Sequence, residues 1–193
     1  MKTMELYDAI EKRRTVRVFK APATEEQLRK IILAGTKAPS AMNRQPWEMI
    51  IVDDQKIIDQ LADLKYRLTR KGLSESGMDP KAAEERALAQ KNSFNNASIV
   101  AVCNIVDWER SIWLCIENIS LACVAEGLGS GIVLYWAEEK DAAGKLLGLP
   151  EGYEMNAVLK VGVPGEEPYT REKNPMGGRR PEFSWLHKNR YQK

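Results

Sequence analysis

A chain of 193 residues, 44% of them apolar, has room for one domain with a sizeable core and too few residues for two. Its 29 basic and 27 acidic residues leave a net charge of +2, so no broad field for a nucleic-acid backbone is expected. Cys103, Cys115 and Cys123 lie in apolar segments without a C-x-x-C spacing, which argues for reduced packing residues and against a disulfide framework or a metal site. No apolar run approaches the ~20 residues of a membrane helix, and the N-terminal residues lack a signal-peptide core. The expectation is a cytoplasmic protein without membrane or nucleic-acid partners.

Residues 4–12 read as a short helix with Leu6 and Ile10 four apart. Arg13-Arg14-Thr15-Val16-Arg17-Val18-Phe19 follows, three guanidinium groups and a hydroxyl within five residues, beside apolar side chains that would anchor them to a core. Guanidinium grips phosphate oxygens in a fork, which the point charge of lysine cannot do. A compact bound anion is one reading of this cluster; a solvated patch of surface ion pairs is the other. Thr24 and Gln27 form a capping-box signature before a helix with Leu28, Ile31, Ile32 and Gly35 on one face. The segment 38–46 then reads as an ordered loop. Its Pro39, Ser40, Ala41, Asn43 and Gln45 place hydroxyl and amide groups between two prolines. Amides donate and accept, which suits the hydroxyls or ring edge of a cofactor. The alternative is a connecting turn with Trp47 in the core.

Trp47–Val52 reads as a strand, and Ile57, Ile58, Leu61 and Leu64 mark a helix. Residues 69–80 are polar and glycine-bearing, the signature of a mobile excursion. Asp79-Pro80 looks like the cap and first position of a charged helix running to about Lys91. The continuous apolar run Ser98–Val106 fits a central strand. In 110–126, Ile112, Ile116, Ile119 and Cys123 make one stripe, and Trp113, Leu114, Leu121 and Val124 widen it. A helix apolar nearly all round is covered on several sides, here by a sheet and a second subunit, or by the interior of a monomer. Gly127-Leu128-Gly129-Ser130-Gly131 follows a helix and precedes a strand, the reverse of a dinucleotide fingerprint. It reads as a helix C-cap with close backbone approach. Gly131–Trp136 is a strand, Asp141–Leu147 a short helix and Asn156–Val163 the last strand. From Pro164 the chain is an extended tail that Trp185 and Tyr191 would dock. The only histidine, His187, lies in that tail, and no carboxylate pair stands out. Any chemistry then rests with a cofactor.

In this order and spacing, the Arg13–Phe19 cluster, the loop Ala38-Pro39-Ser40-Ala41-Met42-Asn43-Arg44-Gln45-Pro46-Trp47, Gly127-Leu128-Gly129, and Val161-Gly162-Val163-Pro164 followed by Arg179-Arg180-Pro181 resemble the nitroreductase family of flavin enzymes. The resemblance spans nearly the whole chain. It implies an α+β, nitroreductase-like fold: a mixed, mainly antiparallel sheet flanked by helices, in an intertwined homodimer. Residues 1–193 would form one domain with a C-terminal extension from about 164 and a candidate lid at 69–96. It implies FMN, with Arg13, Arg14, Thr15 and Arg17 at the phosphate and ribityl end and Arg179 and Arg180 closing on the phosphate. Pro39, Ser40, Ala41 and Asn43 would approach the flavin held mainly by the other subunit, with Gln45 a ribityl or ring contact. Backbone within Ile132–Tyr135, assigned to Leu134 or Tyr135, would approach flavin N5. The implied reaction passes two electrons from NADH or NADPH to a nitroaromatic or quinone-type acceptor in a ping-pong cycle, with no catalytic side chain and no metal. A dehalogenase, a flavin-fragmenting enzyme and a non-catalytic FMN-binding protein are the alternatives on the same scaffold.

Overall fold

One long strand organises the molecule. The computed structural model describes residues 4–166, 179–181 and 184–191. In chain order these form α1 (Leu6–Lys12), β1 (Phe19–Pro22), α2 (Glu25–Gly35), a 3-10 turn (Ala41–Asn43), β2 (Trp47–Val52), α3 (Gln55–Glu75), α4 (Pro80–Asn92), β3 (Ser98–Ile105), α5 (Glu109–Ala125), β4 (Gly129–Val133), α6 (Ala137–Leu146) and β5 (Tyr153–Pro164). The sheet runs β1-β5-β3-β2, with β4 also paired to β5. All four pairings are antiparallel. One parallel bridge, Thr15 with Ser130, adds the stretch before β1. β3 and β4 both pair with the same part of β5 and so lie on its opposite edges. The sheet is therefore mixed but mainly antiparallel, as the resemblance implies.

The apolar run of β3 is continuous because both faces of the strand are covered. Val100 and Val102 join Ala157, Leu159 and Val161 of β5 under α2 and α5. Ile99, Ala101 and Cys103 point to the other face, into a core with Leu61, Leu68, Phe94 and Ala143. A bulge between Val102 and Cys103 sets Cys103 opposite Met155. The extra residue brings Met155 and Val158, three apart, into the same core. All three cysteines are free and buried, and burial pushes each thiol up to about 12.

Several expectations need correction. The polar stretch 69–80 is helical over most of its length. α3 continues to Glu75, and a short turn with Gly77 at φ +76° leads into α4. Ala83 and Ala87 are buried, and Glu84 accepts from the Tyr66 phenol at 2.7 Å and pairs with Arg70 at 2.8 Å. Most of the 69–96 segment is therefore helical, because polar residues on an exposed helix face imitate a loop in composition. β4 ends at Val133, and α6 begins at Ala137, four residues before the expected start. β1 has no range among the elements expected from the sequence. Trp185 and Tyr191 of the tail are 51% and 76% exposed. Gly177, Gly178 and Pro175 of the tail lie outside the described residues. Among the described residues no helix is long and apolar enough to cross a membrane.

Candidate functional site

The arginine cluster is gripped by glycines. α1 ends as Arg13 N–H donates to Ala9 O, and the chain continues extended. Val16 is buried, and its N–H donates to Ser130 O at 2.8 Å. This approach is close enough that side chains are excluded from the facing strand. A Cβ on Gly131 would stand 2.4 Å from the Val16 carbonyl oxygen, and one on Gly129 would stand 2.4 Å from Val16 Cγ2. Just upstream, Gly127 at φ +73° ends α5, with Leu128 N–H donating back to Cys123 O at 2.7 Å. Both expected roles of the Gly-Leu-Gly-Ser-Gly run, C-cap and close approach, are therefore present. With Val16 as the peg, Arg14, Thr15 and Arg17 are left exposed. Arg13 is half-buried, its Nε 3.4 Å from Glu117 Oε1.

Beyond Gly131 the strand alternates. Val133 and Tyr135 turn inward, while Ile132, Leu134 and Trp136 are 38%, 40% and 51% exposed. The Tyr135 phenol donates to Leu61 O at 2.8 Å, and burial raises its pKa, so it stays neutral in the core. Of the two residues assigned to flavin N5, Tyr135 can therefore offer only its main chain, whereas Leu134 stands on the open face. The Leu134 carbonyl accepts from Lys65 Nζ at 3.2 Å, and the same ammonium lies 4.8 Å over the Trp136 ring. Burial lowers the Lys65 pKa. Ala137 opens α6 at φ +50°, a left-handed conformation that a non-glycine residue adopts at a cost. Ile132 and Trp136 fall in the strand expected from the sequence, which did not set their side chains on the open face; period-two alternation from Gly131 would have done so. Nothing in the sequence marks Ala137.

The loop Pro39–Pro46 is a strained knot. Met42, Asn43 and Gln45 all have φ near +50°. Gln45 N–H donates to Ser40 Oγ at 2.9 Å, and Gln45 Nε2 donates to Asn43 O at 3.4 Å. Pro39, Ala41, Asn43 and Gln45 are exposed and Ser40 is half-buried. Arg44 stacks 4.9 Å over Trp108, and a cavity of about 620 Å³ opens between Ala41 and the start of α5. The sheet register places this loop far from the arginines. Trp47 pairs with Asn104, which pairs with Glu154, whereas Ser130 pairs with Val161. About seven residues of β5 separate the two, roughly 23 Å of strand. The structure thus brings Arg13, Arg14, Thr15 and Arg17 together with β4, and sets the Ser40–Gln45 group at the other end of the sheet. Arg179 and Arg180 are exposed, and the Trp185 indole N–H donates to Arg180 O at 3.1 Å. The chain leading to them, 167–178, lies outside the described residues.

A flavin mononucleotide joins a phosphate to a polyhydroxyl chain and a flat ring. The strand that crosses the buried glycines of β4 carries guanidinium groups and a hydroxyl beside Ser130, and the exposed apolar side chains of Ile132, Leu134 and Trp136 follow along β4. The residues present fit the group.

Comparison with known proteins gives the same direction. The nitroreductase family model matches residues 10–163. The iodotyrosine deiodinase of Thermotoga neapolitana is 30% identical over 169 residues, covering 83% of this chain and 89% of that protein. The NADH dehydrogenase of Thermus thermophilus is 28% identical over 192 residues, covering 86% of this chain and 89% of its own. A solved structure of oxidised iodotyrosine deiodinase bound to FMN and 3-iodo-L-tyrosine superposes with a TM-score of 0.71 at 29% identity, over 87% of this chain and 95% of that one. The matched region runs from α1 almost to the end of β5 and contains the arginine strand, the strained loop and β4: the chain belongs to the nitroreductase family.

Proposed function

We propose that this protein is a homodimeric, FMN-dependent oxidoreductase that takes reducing equivalents from NADH or NADPH and delivers two electrons to a small aromatic acceptor of nitro or quinone type. The arginine strand pinned against the glycines of β4 carries this reading. When bound there, the flavin would supply the redox chemistry, accepting hydride from the nicotinamide and returning two electrons to the acceptor. Arg13, Arg14, Thr15 and Arg17 would hold the phosphate through charge-assisted hydrogen bonds. Arg179 and Arg180 would close over it from the tail. Leu134 and Trp136 would exclude water from the ring, with the main chain at Leu134 or Tyr135 fixing the ring edge.

The dimer half of the proposal rests on two observations. The loop of Ser40, Ala41, Asn43 and Gln45 lies too far along the sheet to serve the arginines of its own chain, and so would serve those of its partner. Leu6, Tyr7 and Ile10 of α1, Leu33 of α2 and Leu114 of α5 are exposed apolar side chains on helices that pack together. Their burial by a second copy would complete the coat around α5. A cytoplasmic location is supported by three free thiols buried in the core.

A second reading, reductive removal of halogen from an aromatic substrate, is favoured by the 30% identity to a deiodinase. One set of measurements separates the readings. The purified protein is examined for a flavin spectrum, titrated anaerobically with NADH and NADPH, and assayed with nitroaromatics, quinones and 3-iodo-L-tyrosine, while light scattering gives its mass. A yellow dimer that oxidises a nicotinamide and reduces a nitro or quinone acceptor is expected. A folded protein that stays colourless in excess FMN overturns the proposal. Turnover of iodotyrosine alone selects the second reading.

A further inference from the structure

Lys160 is the only lysine of β5, and it is 2% exposed. An ammonium carried that deep gives up its hydration, a cost that an apolar residue would avoid. Its neighbours locate it. Lys160 pairs with Gly131 across the β4–β5 ladder. Its Nζ donates to Ser93 Oγ, whose hydroxyl donates onward to Gln90 O, and it lies 5.6 Å from the Phe94 ring centroid. Its Cε is 3.2 Å from the point where a Cβ on Gly131 would stand, and the Val16 carbonyl oxygen is 2.4 Å from that same point. The lysine stem therefore passes beside the one residue of β4 that the arginine strand crosses most closely. Val16 stands between Thr15 and Arg17, two of the groups assigned to the phosphate.

We propose that Lys160 is a buried cation of the phosphate-binding field, which strengthens the hold on an anionic cofactor without touching it. This inference rests on the arginine strand being the phosphate site. The exposed guanidinium groups would hold the phosphate where solvent and salt reach it, so their attraction is screened. A charge whose stem is held in protein beside the Val16 crossing is screened far less and acts at longer range. Lys160 is a positioning group in this scheme, and its effect is selective: it falls on the phosphate and leaves the uncharged riboflavin portion of the ligand alone.

The experiment compares dissociation constants for FMN and riboflavin on the full chain, by flavin fluorescence, in the wild type, Lys160→Met and Lys160→Gln. Glutamine keeps a donor for Ser93 Oγ while removing the charge, and so serves if the methionine variant does not fold. The wild type is expected to prefer FMN. In the variants that preference falls by about tenfold, the riboflavin constant changes by less than about threefold, and the slope of FMN affinity against salt stays close to that of the wild type. A folded variant that keeps the wild-type preference overturns the inference, as does an equal loss for both flavins, which would mark a packing role. A wild type with no preference for FMN over riboflavin instead removes the phosphate assignment of the arginine strand, and this inference with it.

Discussion

Replacing Gly131 by alanine would set a methyl group 2.4 Å from the Val16 carbonyl oxygen and 3.2 Å from Lys160 Cε. The first obstacle is backbone and cannot rotate away, so the arginine strand has to lift off β4. Lifting it forfeits the Val16 N–H to Ser130 O hydrogen bond, about 1 kcal/mol, and adds overpacking strain of about 1–3 kcal/mol. The expected loss is about 2–4 kcal/mol, or roughly 5–12 °C in the thermal midpoint of a domain this size. FMN affinity should fall with it, because Thr15 and Arg17 flank the displaced residue. Urea unfolding followed by circular dichroism measures the first effect and fluorescence titration the second. Gly72→Ala is the control: this glycine is exposed in α3 with nothing within 4 Å of an added Cβ. There alanine should stabilise by up to about 1 kcal/mol through helix propensity alone. Were Gly131→Ala as stable as the wild type with undiminished FMN binding, the grip of the glycines on the arginine strand would be refuted.

Arg17→Ala should weaken FMN binding by about 1.5–3 kcal/mol, roughly 10- to 150-fold, with riboflavin binding little changed; equal affinity for FMN before and after would count against the site. Tyr135→Phe removes the donor to Leu61 O and should cost about 1 kcal/mol in urea unfolding while FMN affinity holds, since the phenol faces the core. Burial lowers Lys65 from its ordinary 10.5, so between the lowered value and 10.5 the unfolded chain binds more protons than the native one. Stability from this group therefore rises with pH across that window. The thermal midpoint of the wild type relative to Lys65→Met should climb as pH approaches 10.5, and parallel curves would contradict the burial of that ammonium. Cys103, Cys115 and Cys123 should resist a thiol reagent in the native protein and all react in denaturant; rapid native labelling would show that the core opens at β3 or α5.

The periodic elements could be read from the chain because their signals are local. The Thr24–Gln27 capping box forms as its spacing indicates, with both reciprocal hydrogen bonds in place. The stripe of Ile112, Ile116, Ile119 and Cys123 is buried as its period requires. α3 ran past its expected end because its last turns bury little and resemble a loop in composition. β1 is only four residues long and owes its existence to pairing with the far end of β5, about 140 residues away, which no window of sequence contains.

Residue types alone determined the chemistry of the proposed site: three arginines with a threonine, an amide-rich loop between prolines, and glycines where a helix gives way to a strand. These are the groups on which the proposal of a phosphorylated, hydroxyl-rich ligand rests. Tertiary structure decided which neighbour faces which way. Tyr135 went to the core and Leu134 to the open face, because the register of β4 on β5 is set by long-range pairing and a shift of one residue exchanges every side chain between faces. It also decided that the arginines and the amide loop stand at opposite ends of one sheet, since strand order follows from burying both faces of β3. Lys160 became a candidate only in three dimensions, where the antiparallel ladder sets it beside Gly131 and the arginine strand crosses over both.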